Sequence, residues 1–173
     1  MDKIYNDVAS GIYDNRVLNK FTKLLSEKYT IFAYKNQEVN GLSIIFYISE
    51  NIINMEDMKT DEAVGFISFY IDDNDKDLTV LFIRTNSKFT GNGIGTFLMI
   101  LAASYVNSSN KTITKIRLDD DSDNSWQENN IYTKLGLKYI NSEPEPEMEG
   151  TIQAVVDYWD IFKPKYESKL KLL

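Results

Sequence analysis

Three glycines alternate in the stretch KFTGNGIGTFLM, residues 88–99: Gly91, Gly93 and Gly95. An apolar run, GTFLMILAASYVN, starts at the last of them and reads as a helix apolar nearly all round. A helix N-terminus offers unpaired N–H groups and the positive end of the macrodipole. Bare glycine lets a phosphate come within bonding distance of such amides. The segment Thr90, Gly91, Asn92, Gly93, Ile94, Gly95, Thr96 therefore reads as a pyrophosphate cradle, set against the plainer reading of a tight strand-to-helix turn. A Walker A loop needs Gly-Lys-Ser/Thr, and Gly95 is followed by Thr96 and Phe97. The dinucleotide fingerprint asks for a third glycine where Thr96 stands. Asp119 ends the next strand, where a ribose-binding acid belongs. A dinucleotide or S-adenosylmethionine ligand thus stays open on the residues alone.

Two residue types are missing. The chain has no histidine and no cysteine. Ser-His-Asp and Cys-His relays are excluded, as are thiolate or histidine zinc sites. Proton transfer falls to Asp, Glu, Lys, Tyr or water. A net charge of -7 argues against nucleic acid as a partner. The acidic stretch DDNDKD, 72–77, lacks the glycine and closing glutamate of a calcium loop and reads as a hairpin turn. No metal is expected.

The elements around these residues follow from periodicity. Val17, Leu18, Phe21, Leu24 and Leu25 share one helical face. Strands are expected at YTIFAY from Tyr29, LSIIFYIS after Gly41, AVGFISFYI (63–71) and DLTVLFIRT (77–85). The short polar link between the last two makes them antiparallel neighbours. The run Leu78–Ile83 predicts a central strand buried on both faces. TITKIRLDDD, from Thr112, is the next strand, and the intervening helix makes it parallel to 77–85. SWQENNIYTKLGLKYI predicts a helix with Ser125 as N-cap, Glu128 completing a capping box and Gly136 closing it. LKYI reads as a strand, EPEPEMEG as an acidic loop, TIQAVVDYWDIF as a last strand and residues 163–173 as a basic tail. The length of 173 residues suits one domain, 1–173. No apolar run is long enough to span a membrane and the first residues lack a secretory signal, so a soluble cytoplasmic protein is expected.

This order of elements resembles the GNAT superfamily of N-acetyltransferases. That family carries a Gln/Arg-x-x-Gly-x-Gly/Ala loop, similar to Thr90-Gly91-Asn92-Gly93-Ile94-Gly95. It also carries a Tyr-x-x-x-Gly-Phe segment, similar to Tyr132-Thr133-Lys134-Leu135-Gly136-Leu137. The resemblance runs from about Ala63 to Ile140 and is topological elsewhere. Thr90 departs from the family, which has Gln or Arg there. The resemblance implies an α/β (α+β) fold: a mixed, mostly antiparallel sheet, one parallel βαβ crossover after the glycine loop, and helices on both faces.

It also implies transfer of an acetyl group from acetyl-coenzyme A to a primary amine by direct attack. The pyrophosphate would rest on Thr90–Thr96, and the pantetheine arm beside Arg84, Thr85 and Asn86. Tyr132 would be the acid for the departing thiolate, its phenol pKa near 10 suiting a donor. No base is evident, since the central strand holds no Glu or His. Asp119, Asp120 and Asp121 end the neighbouring strand, where they would accept a proton or attract a cation, against the reading of a solvated strand end. Asn124 stands where relatives often touch coenzyme A. The four glutamates of NSEPEPEMEG, 141–150, suggest a cationic acceptor, such as a polyamine, lysine or protein N-terminus, against a solvated loop. Many relatives are dimers, so a homodimer is an expectation. A catalytically inert acyl-coenzyme A-binding or protein-binding module and a methyltransferase-like enzyme remain the alternatives.

Overall fold

The computed structural model describes residues 16–25, 29–36, 41–48, 63–122, 125, 127, 129–141 and 146–173. Among these, the chain runs α1 (Arg16–Thr22), β1 (Tyr29–Asn36), β2 (Gly41–Ile48), β3 (Gly65–Asp72) and β4 (Asp77–Thr85). A short 3-10 turn, Ser87–Phe89, leads to α2 (Ile94–Ser109) and β5 (Lys115–Asp119). Then come α3 (Ile131–Lys134), β6 (Lys138–Tyr139), β7 (Glu147–Thr151), α4 (Ile152–Asp157) and α5 (Trp159–Leu172). The strands form one seven-stranded sheet in the order β1-β2-β3-β4-β5-β7-β6. Every pairing is antiparallel except β4 with β5. The meander and the single parallel pair are as expected from the polar turn at 73–76 and the helical crossover.

Helix α2 supplies the centre of the core. Phe97, Leu98, Met99, Ile100, Leu101, Ala102 and Ala103 are all fully buried. Helix α2 touches β2, β3 and β4 as well as α1 and α4. A helix covered on most sides has no need of a polar stripe, which is why its sequence is apolar almost throughout. The ring of Phe97 meets Phe21 of α1 and Phe46 of β2 edge-on, at centroid distances of 6.0 Å in each case.

Three expectations are corrected. TIQAVVDYWDIF is not a strand. Thr151 Oγ1 accepts from the Ala154 N–H at 3.1 Å and caps α4, and Ile152, Val155 and Phe162 are buried at helical spacing. The β-branched composition suggested a strand, and the cap and core contacts prevailed. The basic tail is helix α5, with Pro164 inside it. Proline at that position leaves the Asp160 carbonyl without its helical donor, but Asp160 is exposed and water can serve it. Finally, β4 is central but not buried on both faces throughout. Its second half alternates, and Phe82 is 59% exposed.

Candidate active site

The parallel pair of β4 and β5 is closed at one end and open at the other. Ladder partners run from Asp77↔Lys115 to Val80↔Leu118 and then stop, although β4 continues to Thr85. The reason lies on the other side of β4. Ser68 pairs with Phe82 but Phe69 pairs with Val80, so Leu81 is an extra residue, a β-bulge. A bulge bends its strand and increases local twist. Beyond it, β4 has backbone groups facing the β5 side with no strand partner among the described residues. Asp119, the last residue of β5, has a ladder partner on the far side alone, Glu147 of β7.

The glycine loop sits where β4 ends. Asn86 caps the 3-10 turn, its Oδ1 accepting from the Lys88 N–H at 3.1 Å. Gly91 and Gly93 have φ of 83° and 77°, left-handed values that favour glycine. Gly93 is the N-cap of α2 and offers no capping side chain, and the first helical bond runs from the Phe97 N–H to the Gly93 carbonyl at 2.9 Å. The amides that begin α2 are therefore left for another acceptor.

The three glycines serve different needs. A Cβ on Gly93 would lie 2.8 Å from Tyr166 Cδ1 and 2.9 Å from Phe162 Cε2, so packing against α5 forbids it. A Cβ on Gly91 would meet nothing within 4 Å. A Cβ on Gly95 would make only ordinary contacts, 3.6 Å from Ile131 Cδ1 and 3.8 Å from Thr85 Oγ1. Gly95 thus marks the point where the end of β4, the start of α2 and the start of α3 converge. Thr90 turns its hydroxyl inward, donating to the Ser87 carbonyl at 2.9 Å. Arg84, Thr85 and Asn86 line a cavity of about 380 Å³ with Ala63, Gly65, Phe66, Ser87 and Lys88.

Helix α3, which reaches this convergence through Ile131, carries Tyr132 as its next residue. Its cap is Asn130, whose Oδ1 accepts from the Thr133 N–H at 2.8 Å, rather than Ser125 as the capping box suggested. The two polar sites compete in sequence, and Asn130 wins because a second tie holds it, as follows. The helix ends as foreseen at Gly136, with φ of 88°. The Leu137 and Gly136 amides return to the carbonyls of Tyr132 and Thr133, at 3.1 Å each. Tyr132 is buried, and its hydroxyl has no hydrogen-bond partner among the described residues. Burial, then the charges of Asp120 and Asp121 and the Tyr139 phenol, push its pKa up to about 12. The phenol therefore stays protonated at neutral pH.

The three aspartates part company. Asp119 and Asp121 are exposed, while Asp120 is fully buried. The carboxylate of Asp120 accepts from Ser122 Oγ at 2.5 Å, Asn130 Nδ2 at 2.7 Å and Tyr139 Oη at 2.6 Å. Asn130 Nδ2 also lies 2.8 Å from Tyr139 Oη. This network ties the end of β5 to β6 and, through Asn130, to the cap of α3. Sequence reasoning missed Asn130, Ser122 and Tyr139, for they are ordinary surface types at no telling spacing.

Two other candidates change standing. Glu147 and Glu149 belong to β7 rather than to a loop, and Glu149 Oε2 accepts from Arg117 Nε at 2.8 Å. Asn124 and the rest of the acidic loop, 142–145, lie outside the described residues, as does Glu128 of the expected capping box. Among the described residues no cluster of acidic side chains has the makings of a metal site. None of their helices is long and apolar enough to cross a membrane.

A family model described as the acetyltransferase (GNAT) family matches residues 16–137. The chain belongs to this family. Its sheet, with one parallel pair after an antiparallel meander, agrees with that membership and departs from the parallel sheets of dinucleotide- and S-adenosylmethionine-binding folds. Among solved structures, a nucleotide-linked sugar GNAT, FdhC, is similar at 15% identity and a TM-score of 0.53, covering 76% of this chain and 70% of that one. Mutant forms of the spermidine/spermine N-acetyltransferase SpeG from Vibrio cholerae are similar at 13% identity and a TM-score of 0.50, covering 67% of each chain. At such identities the likeness is one of fold. No curated protein matches the sequence. Within the family frame, the chain is an N-acetyltransferase, and its glycine loop, the open end of β4 and, through Ile131, helix α3 meet at Gly95.

Proposed function

We propose that this N-acetyltransferase moves the acetyl group of acetyl-coenzyme A to a primary amine by direct attack. The observation that carries the reading is the convergence at Gly95 of an unpaired strand edge, an uncapped helix N-terminus and the helix bearing Tyr132. The amides from Gly91 to Thr96 receive the pyrophosphate. The β5-facing edge of β4 at its open end, at Arg84 and Thr85, hydrogen-bonds the amides of the pantetheine arm as an added strand would, and Asn86, bonded to Val64 and Phe89, closes that edge.

The neutral amine nitrogen attacks the thioester carbonyl carbon, and the tetrahedral intermediate collapses with cleavage of the C–S bond. The leaving thiolate takes the phenolic proton of Tyr132. The proton lost from the amine passes to water or to Asp119, an exposed carboxylate at the end of β5. Asp119 and Asp121 favour a cationic acceptor by charge. Asp120 holds the site together rather than exchanging protons, its oxygens being already occupied.

The test pairs binding with turnover on the full chain. Acetyl-coenzyme A should raise the melting temperature, since a ligand at 100 times its Kd stabilises by about 2.7 kcal/mol. Tyr132→Phe should keep that shift and lower kcat about 10²- to 10⁴-fold. The sign for pH follows from the raised pKa. Between the unfolded value near 10 and about 12 in the fold, the native state holds a proton that the unfolded chain has lost. Stability from this group is complete below pH 10 and declines as pH rises toward 12, and Tyr132→Phe should flatten that decline. A shift with S-adenosylmethionine or NAD in place of acetyl-coenzyme A would sink the reading. Binding without turnover on any amine would leave an acyl-coenzyme A-binding module.

A further inference from the structure

The segment Thr90–Thr96 contains no cation, and Lys88 before it is exposed and lines the cavity at the end of β4. The loop's motif position for Gln or Arg is Thr90, whose hydroxyl is committed to the Ser87 carbonyl. Yet the loop is not without positive charge, because α5 comes to lie against it from the far end of the chain. Phe162 stacks on Phe97 of α2, with centroids 6.0 Å apart, and Tyr166 stacks on Phe162 at 4.7 Å. These two rings fill the space below Gly93 where a Cβ would otherwise stand. The column of rings reaches from the core to the loop and fixes the position of the helix turn that follows.

That turn carries Lys169. Its Nζ lies 3.5 Å from the Gly91 carbonyl and 5.3 Å from the Tyr166 ring centroid. Lys165 Nζ lies at the same 5.3 Å from that ring. Neither lysine has a carboxylate partner among the described residues, whereas Lys171 on the same helix is bound to Glu167 at 2.8 Å. A long, flexible ammonium is costly to hold in one place. Here an aromatic face and the Gly91 carbonyl keep it at the glycine loop, two residues before the N-cap of α2.

We infer that Lys169 is the cationic arm of the phosphate cradle, binding the diphosphate of coenzyme A and supplying from α5 the charged contact that Thr90 does not supply. This rests on the acetyl-coenzyme A reading above. The ammonium swings from the Gly91 carbonyl to a diphosphate oxygen and makes a charge-assisted hydrogen bond there. Tyr166 guides it, and Lys165 adds a second positive charge at longer range.

The experiment measures coenzyme A and 3′-dephospho-coenzyme A binding to the full chain by calorimetry. The variants are Lys169→Ala, Lys169→Arg and Lys171→Ala. Lys169→Ala should weaken both ligands about tenfold. Its melting temperature without ligand should stay at the wild-type value. Lys169→Arg should recover most of the loss, and Lys171→Ala should change affinity by less than about twofold. Equal affinity of Lys169→Ala and wild type would overturn the assignment while leaving the acetyl-coenzyme A reading intact. Loss for coenzyme A alone would place the contact on the 3′-phosphate and overturn the diphosphate assignment. Equal losses in Lys169→Ala and Lys171→Ala would reduce the effect to the general field of the helix and also overturn it. A wild-type chain that binds neither ligand would instead sink the acetyl-coenzyme A reading itself.

Discussion

The two ends of the β4–β5 pair are built on opposite principles. At the closed end, side chains reinforce the ladder. Arg117 bonds Glu149 at 2.8 Å and approaches Asp77 Oδ2 at 3.4 Å, and Thr79 Oγ1 donates to Asp77 Oδ1 at 3.2 Å. The Glu149 contact first, and the charge of Asp77 with it, raise the Arg117 pKa above its ordinary value. At the open end, beyond the Leu81 bulge, the pairing stops and, among the described residues, no side-chain hydrogen bond or ion pair bridges the gap. A parallel pair pinned at one end and released at the other makes a wedge. The strand edge exposed in the wedge keeps the hydrogen-bonding capacity that a neighbouring strand would have consumed.

Substitutions at the two ends should separate function from stability. The largest effect belongs to Gly95→Asp at the open end. The carboxylate would enter the wedge beside the incoming phosphates, where like charges cost several kcal/mol, so coenzyme A affinity should fall by about two orders of magnitude or more. The same carboxylate sits in the first turn of α2, where the helix dipole favours it by about 0.3–1 kcal/mol. Calorimetry and melting should therefore move in different directions. If binding survives, the amides of α2 do not hold the phosphates. Gly93 would be a poorer probe, because its substitution collides with Phe162 and Tyr166 whether or not a ligand binds there.

A smaller change is expected at Asp120, which links β5 to the cap of α3. Asp120→Asn removes a carboxylate that accepts from three side chains and should cost about 1–3 kcal/mol of stability. Turnover should fall about tenfold through the displaced α3 while the form of the pH–rate profile is kept. Disappearance of its acid limb would instead make Asp120 the base. The smallest functional effect is expected at the closed end. Arg117→Ala strips the buried Asp77 of its cation and should lower stability by about 1–3 kcal/mol, less than for a fully buried pair because Arg117 is partly exposed. Coenzyme A affinity should remain within about twofold of wild type. A large loss of binding would mean that the clamp sets the width of the wedge, and the two ends would no longer be independent.

Much of this was legible in local pattern. The meander followed from alternating apolar runs and the turn at 73–76, and the one parallel pair followed from a helix between two strands. The loop and the Gly136 cap were visible because backbone geometry restricts which residues those positions accept, and Tyr132 because it stands four residues before Gly136, as in the family's Tyr-x-x-x-Gly segment. The C-terminal third was harder. Trp159, Phe162, Tyr166 and Leu170 do recur at helical spacing, but Pro164 and a run of lysines disguised the helix as a tail.

The sequence by itself determined the family, the class of chemistry without histidine or cysteine, and the place of the glycine loop before α2. Each of these depends on residue type and short spacing. Only the tertiary structure decided which aspartate is buried, which glutamate is spent on an arginine, why Gly93 and Gly95 are bare for different reasons, and that Lys169 lies beside Gly91, 78 positions away. Those facts depend on contacts between distant segments. Such contacts arise from the shape of the packed core, here the stack running from Phe97 to Tyr166, and no local propensity encodes them.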